Sequence, residues 1–203
     1  MAFSAAPLSR EGLMMANWIS APTRYLNQAE RVHNAKLFWD FFVNVQGWTA
    51  QSVAAMLGNI EVESSINPGL WQGREIPSDP YTATRGFGLT QWTPATKVTV
   101  WARDNNLDYR LGDVQLQRIL YEQQNNLQWS TDNILSMTWD QFITSTESPE
   151  ILARVFVWAY EIPAAPDIPQ RQSLARKWYN SLRYPIPIWM MAKAANSWRK
   201  GGL

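Results

Sequence analysis

The sequence predicts a mainly α-helical protein, and three observations support this fold class. Apolar residues recur in several stretches with the 3.6-residue period of an amphipathic helix. Residues that commonly cap helices, such as Ser, Thr, Asn and Asp, stand directly before these stretches. A length of 203 residues suits one ordinary domain with extensions, or at most two small domains. We therefore expect a helical bundle built around one core.

Two helices are predicted in the first third of the chain. Asn27 and Glu30 have the spacing of a capping box, and the helix that follows is expected to end at Gly47. Thr49 is placed to cap a second helix that continues to about Ser64. The apolar positions of this second helix share one face because they follow the helical period: Val53, Met56, Leu57 and Ile60.

The chain between residues 69 and 92 is predicted to form a long loop or a short hairpin, because it is rich in Gly, Pro, Thr and Tyr. Helices are expected to resume near Pro94 and to continue to Leu182. Ser148, followed by Pro and Glu, is a strong helix start, and another helix is predicted from Asp167.

Two extensions flank the predicted domain of residues 27–183. Residues 1–26 show weak periodicity, with a short helix expected around residues 11–19. Residues 184–203 carry the run Tyr-Pro-Ile-Pro-Ile-Trp-Met-Met and then a short basic segment. We expect no signal peptide, because charged residues interrupt the first apolar stretch. We also expect no transmembrane segment, because no stretch has the roughly 18 apolar residues of a membrane span.

Composition excludes several kinds of catalytic site. The chain has no cysteine and one histidine, His33, so it lacks a thiol nucleophile and the Cys and His ligands of a typical zinc site. A Ser-His-Asp triad would need His33, which lies in a helical stretch without a catalytic motif. We therefore predict no metal and no cofactor. A net charge of +1 gives no reason to expect nucleic-acid binding.

The remaining chemistry rests on carboxylates and aromatic rings. The chain contains 12 Trp residues, most of which are expected to pack in the core, although Trp faces also stack on sugar rings. The second helix offers two carboxylates, Glu61 and Glu63, which lie about 80° to either side of the centre of its apolar face. Both flanks are expected to be half-buried, which suits a general acid. Helical periodicity does not choose between the two residues.

The motif at residues 63–68 distinguishes them by resemblance. Its sequence, Glu-Ser-Ser-Ile-Asn-Pro, resembles the Glu-Ser-x-x-Asn-Pro element of goose-type lysozymes and lytic transglycosylases, in which the Glu is the catalytic acid. Residues 86–92, Gly-Phe-Gly-Leu-Thr-Gln-Trp, are similar to the Gly-Leu-x-Gln element that lines the sugar-binding cleft of the same enzymes. Further matching stretches lie at residues 56–59, at 67–72 and between 160 and 179. In order and spacing, the elements most closely resemble the tail lysozymes of bacteriophages, over about residues 30–183.

This resemblance implies hydrolysis of peptidoglycan at the linkage between N-acetylmuramic acid and N-acetylglucosamine, during entry of the phage genome. It implies that Glu63 is the proton donor and that Gln91 and Trp92 lie in the cleft. Trp71 and Tyr160 are candidate sugar-stacking residues, with core packing as the alternative. The implied fold is lysozyme-like, with the helix that carries Glu63 at its centre.

The motifs do not identify the second carboxylate that a glycosidase commonly uses. Glu61, Asp79 and Glu161 are the candidates, and Glu161 could also position water, bind substrate or cap a helix end. Hydrolysis and transglycosylation are both compatible with the motifs. The resemblance further implies a place at the tail tip or knob of a virion, with other tail proteins as partners of the two extensions. A non-catalytic tail-tip protein that binds wall sugars is the alternative class.

Overall fold

The computed structural model describes residues 16–132, 134–162 and 167–184. Seven α-helices form in these ranges. They are α1 (Gln28–Trp39), α2 (Ala50–Ser64), α3 (Thr96–Asp104), α4 (Gly112–Gln124), α5 (Trp139–Thr144), α6 (Pro149–Phe156) and α7 (Ile168–Arg183). A wide π-helical turn extends α1 over Asp40–Val45, and another extends α6 over Val157–Glu161. The predicted mainly α-helical fold class is confirmed.

Local sequence signals account for the helix starts. The Asn27 side chain accepts a hydrogen bond from the backbone N–H of Glu30, and the Glu30 carboxylate accepts one from the backbone of Asn27, which completes the predicted capping box. The side chains of Thr49, Ser148 and Asp167 each accept a hydrogen bond from the backbone N–H three residues further on. All four predicted starts are confirmed.

The segment between α2 and α3 is an ordered loop rather than a regular hairpin. Its pairing consists of two isolated antiparallel bridges, Trp71 with Phe87 and Phe87 with Trp92. A short 3-10 turn follows at Gln72–Arg74. The alternative of a long loop, rather than a hairpin, is therefore the one that the structure adopts.

Ser64 and Asn67 of the predicted motif hold this loop in place. The Ser64 hydroxyl donates to the carbonyl of Leu89 at 2.7 Å. The Asn67 side-chain oxygen accepts from the backbone N–H groups of Ala21 and Gly69, each at 3.0 Å. These bonds tie the last turn of α2 to the loop and to the N-terminal segment, so the direction of that turn is fixed.

Residues 16–26 run along the helical core without forming a helix. The Trp18 indole N–H donates to Asp113 of α4 at 3.0 Å, and the backbone N–H of Ile19 donates to Asn34 of α1 at 3.0 Å. The helix predicted around residues 11–19 is therefore wrong over its described part, and the rest of it lies outside the described residues. The predicted tail also lies outside them from residue 185 onwards.

Helix α2 is the centre of the core, since 11 of its 15 residues are buried and it packs against both α6 and α7. Gly58 permits the closest approach, because a Cβ atom there would lie 2.6 Å from the backbone N of Ala175 and from the carbonyl O of Arg171. Within the described ranges six Trp residues are buried, namely Trp39, Trp48, Trp71, Trp92, Trp139 and Trp178. No helix in the described ranges has the length and apolar character needed to cross a bilayer.

Candidate active site

A cleft of about 840 Å³ opens beside the C-terminal end of α2. Its walls come from the loop after α2, the start of α3, the segment after α4 and the π-helical turn after α6. The side chains along it that carry chemistry are Glu63, Gln91, Lys97, Trp129, Tyr160 and Glu161. The cleft therefore brings residues together that lie almost 100 positions apart in the chain.

Glu63 lies in the last turn of α2, and its side chain is about one-fifth exposed (22%). The guanidinium of Arg171, on α7, donates to Glu63 Oε1 at 2.5 Å. A second N–H of Arg171 donates at 3.0 Å to the side-chain oxygen of Asn59, one turn earlier on α2. Because Arg171 is almost completely buried, this arrangement is a fixed, charge-assisted contact rather than a surface ion pair.

Glu161 ends the π-helical turn and lines the same cleft. Its Oε1 atom is buried and has no hydrogen-bond partner among the described residues. Burial, followed by the negative charge of Glu63, raises the pKa of the Glu161 carboxyl well above its usual range, although Arg171 acts in the opposite direction. Two carboxyl groups with different surroundings thus meet in one cleft.

The other two candidates for a second carboxylate lie elsewhere. Glu61 is buried on the opposite flank of α2, where it accepts from Arg31 and from the Trp178 indole N–H, each at 2.7 Å. Asp79 lies in an exposed turn and accepts from the backbone N–H of Tyr81 at 2.8 Å. Neither residue lines the cleft. Of the three candidates, the structure brings only Glu161 to Glu63.

Gln91 and Trp71 both line the cleft. The Gln91 amide N–H₂ donates to the carbonyls of Leu70 and Gly88, each at 3.0 Å, and its backbone has a positive φ of 49°. Trp71 is mostly covered, with its ring packed on Phe87 at 4.4 Å between centroids. Both residues shape the wall of the cleft, and their contact with substrate stays a prediction.

The prediction that Trp92 lies in the cleft is wrong. Its side chain is fully buried, and the indole N–H donates at 3.0 Å to Glu122 on α4. The Gly-Leu-x-Gln element places Gln91 at the surface of the cleft, whereas the next side chain points to the core. A buried carboxylate that needs donors explains why an indole, which has both apolar area and an N–H, occupies this position.

Glu122 is the centre of a buried polar network that sequence patterns did not predict. It accepts from the Tyr160 hydroxyl at 2.5 Å and from Arg118 at 2.9 Å, in addition to Trp92. Burial raises the pKa of the Glu122 carboxyl and of the Tyr160 phenol. Tyr160 lines the cleft and is 2% exposed, so this network fixes the residue directly before Glu161.

The site contains further residues that the sequence did not single out for a role. Arg171 was a matching residue of the motif pattern, but its contact with Glu63 was not predictable because 108 positions separate them. Lys97 and Trp129 line the cleft from α3 and from the segment after α4. Among the described residues, no group of His, Cys, Asp and Glu side chains is arranged to hold a metal ion.

A buried central helix that ends at a cleft lined by two glutamates, enclosed by further helices and an ordered loop, defines a lysozyme-like domain. A family model for phage tail lysozymes matches residues 33–182. The chain belongs to the phage tail lysozyme family, and the resemblance inferred from the motifs is confirmed.

The chain is also similar to morphogenesis protein 1 of Bacillus phage B103, with 42% identity over 158 residues. The matched region covers 78% of this chain and 41% of that relative. The chain thus spans less than half the length of the curated relative that it matches.

Proposed function

We propose that this protein cleaves the glycan strands of bacterial peptidoglycan at the linkage between N-acetylmuramic acid and N-acetylglucosamine. The single observation that carries the proposal is the meeting of Glu63 and Glu161 in one open cleft. Glycoside hydrolysis needs a carboxylic acid that protonates the leaving oxygen, and a second carboxylate commonly assists. Membership of the phage tail lysozyme family supports the same substrate.

Glu63 is the proton donor to the glycosidic oxygen in this proposal. It is the family's Glu in the Glu-Ser-x-x-Asn-Pro element, and it is the only carboxylate of α2 that faces the cleft among the described residues. Its position is held by Arg171, which is itself held by Asn59. A fixed side chain favours catalysis because its carboxyl oxygen is already positioned at the bond that breaks.

The walls of the cleft suit a sugar chain. The volume of about 840 Å³ lies towards the upper end of ligand sites, which range over roughly 300–1,000 Å³. Tyr25 and Trp129 supply aromatic surface, and Gln91 and Thr93 supply polar groups, whereas Trp71 and Thr90 are almost completely buried in the wall. Aromatic faces stack on the apolar faces of sugar rings, and polar groups form hydrogen bonds with the sugar hydroxyls. The cleft would therefore bind both the apolar faces and the hydroxyl groups of the substrate.

The protein acts from a phage virion in this proposal, at the tail tip or knob, where it opens the host wall locally during genome entry. The similar Bacillus phage protein is named for morphogenesis, which supports a place in the assembled particle. Its partners would then be other tail proteins as well as peptidoglycan.

Wall clearing by Glu63→Gln tests the proposal. We expect the rate to fall about 100- to 10,000-fold, because Gln cannot donate the proton but still accepts from Arg171. The matched control is Asp79→Asn, which changes a carboxylate outside the cleft and should clear walls at the wild-type rate. Undiminished clearing by Glu63→Gln would exclude Glu63 as the acid. A wild-type protein that binds walls without clearing them would favour the non-catalytic class.

A further inference from the structure

The second carboxyl group of the cleft has no role in the protonation step described above. It is held at the end of a π-helical turn in which the N–H of Ile162 donates to the carbonyl of Val157 at 2.8 Å. Ile162 then adopts a left-handed conformation, with φ 46° and ψ 50°, which is strained for a β-branched residue. Such turns are rare and recur at functional sites, so the position of Glu161 is a specified feature of the fold.

The charged groups around Glu161 come from four helices. Glu63 faces it from α2, Arg171 from α7, Glu122 from α4 and Lys97 from α3. Two of these groups are anions and two are cations, so their overall count does not favour either protonation state of the Glu161 carboxyl.

The hydrogen bonds of these charged groups show which of them already have partners other than Glu161. The two terminal nitrogens of Arg171 donate to Asn59 and Glu63, while its buried Nε atom has no partner among the described residues. Glu122 accepts from Arg118, Trp92 and Tyr160. Glu161 Oε1 receives no donor among the described residues.

We propose that Glu161 holds the proton that Glu63 delivers to the glycosidic oxygen, and that it recovers a proton from the attacking water. Arg171 donates to the carboxylate of Glu63, whereas the Oε1 atom of Glu161 is buried in the same cleft without a donor among the described residues. Two neighbouring carboxyl groups can keep one proton between them, and the group without a donor is the favoured carrier. The inference rests on the proposed glycosidase function.

The proton balance closes over one turnover. Glu161 passes its proton to Glu63 through water in the cleft, since no hydrogen bond directly joins the two side chains in the structure described. Glu63 passes the proton to the leaving oxygen as the bond from that oxygen to the sugar C1 breaks. Glu161 is then an anion that faces the positive charge developing at C1. Water adds its oxygen to C1 and returns one proton to Glu161, which restores the starting state. If the C6 hydroxyl attacked in place of water, the same residue would accept the hydroxyl proton and a 1,6-anhydro sugar would form.

The pH dependence of wall clearing by Glu161→Gln tests this inference. We expect the rate at neutral pH to fall about 100-fold and the optimum to move to lower pH, because Glu63 must then take its proton from bulk solvent. The matched control is Glu147→Gln, an exposed carboxylate outside the cleft, which should keep the wild-type profile. A wild-type profile in Glu161→Gln, or an equal loss at every pH, would overturn the proposed role.

A second measurement does not depend on activity. The infrared spectrum of the wild-type protein at neutral pH should contain the carbonyl band of a protonated carboxylic acid, and this band should be lost or reduced in Glu161→Gln. An identical carboxylic-acid band in both proteins would contradict the inference. A failure of the proposed function can be told apart from a failure of this inference. If the proposed function is wrong, Glu63→Gln is active or the wild type is inactive, whatever the behaviour of Glu161→Gln.

Discussion

Glu61 and Glu63 lie two residues apart on α2 and have opposite surroundings. Glu61 is enclosed by Arg31, Lys177 and Trp178, so both of its carboxylate oxygens are engaged. Glu63 has a single strong partner and faces the open cleft. One residue therefore holds helices together while the other is available for chemistry.

Substitution at Glu61 should lower the stability of the protein without abolishing its activity. We expect Glu61→Gln to lower the free energy of unfolding by about 1–3 kcal/mol, because Arg31 loses a buried ionic partner. Urea unfolding measures this loss. Wall clearing should be retained at a temperature where the variant is folded, whereas Glu63→Gln should lose clearing even where it is folded. Abolished clearing in folded Glu61→Gln would contradict the assignment.

The buried network behind the cleft gives a second prediction at this scale. Tyr160→Phe removes a hydroxyl that donates to Glu122, so the free energy of unfolding should fall by about 1–3 kcal/mol. The control is Tyr121→Phe, at a partly exposed ring on the same helix as Glu122, for which little change is expected. Thermal or urea unfolding of both variants decides the point, and equal stabilities would argue against the network.

Contacts between residues that lie close together in the chain were predictable from the sequence, whereas contacts between distant residues were not. The cap residues Asn27 and Thr49 were predictable because each bonds to the backbone three positions away. The choice between Glu61 and Glu63 came from motif resemblance, since helical periodicity treats both flanks alike. The burial of Trp92 was not predictable, because it follows from a carboxylate 30 positions further along the chain.

At the scale of elements, the contact between α2 and α7 carries the site, because α2 supplies Glu63 and α7 supplies Arg171. The absence of a side chain at Gly58 allows the two helices to approach closely. The 3.6-residue period predicted both helices, but it carries no information about which pair of helices would meet. It also did not predict the widening of α6 into the turn that ends at Glu161.

Gly58→Ala tests this element contact. Its Cβ would lie 2.6 Å from backbone atoms of α7, which cannot move aside as a flexible side chain can. We expect a loss of about 1–3 kcal/mol in the free energy of unfolding, together with weaker wall clearing, because Arg171 lies at the point of contact. Gln51→Ala, on the same helix, is the control and should be close to neutral. A Gly58→Ala protein as stable as Gln51→Ala would contradict the close packing.

At the scale of the whole molecule, the cleft makes stability depend on pH. The pKa of Glu161 is raised above its ordinary value of 4.5, and the pKa of Glu122 is also raised. The folded protein therefore binds more protons than the unfolded chain above about pH 4.5, so its free energy of unfolding decreases as the pH rises through the raised pKa values. The carboxyl groups of Glu161 and Glu122 are thus a source of instability at neutral pH.

Urea unfolding at a series of pH values tests this dependence. The Glu161→Gln protein lacks the buried acid, so its free energy of unfolding should fall less steeply than that of the wild type from about pH 4.5 upwards. The two curves should diverge as the pH increases, with the variant becoming the more stable protein relative to wild type. Parallel curves would show that Glu161 has the same pKa in the folded and unfolded states.

Mass spectrometry of the fragments released from purified peptidoglycan shows whether this lysozyme-like domain cuts glycan strands with Glu63. We expect muropeptides with a new reducing end at N-acetylmuramic acid from the wild type, and none from Glu63→Gln. Fragments with 1,6-anhydro ends would show that the enzyme is a transglycosylase rather than a hydrolase. The linkage that is cleaved and the role of Glu63 would then be unchanged. Cleavage only within the peptides, or the same glycan fragments from Glu63→Gln, would contradict the claim.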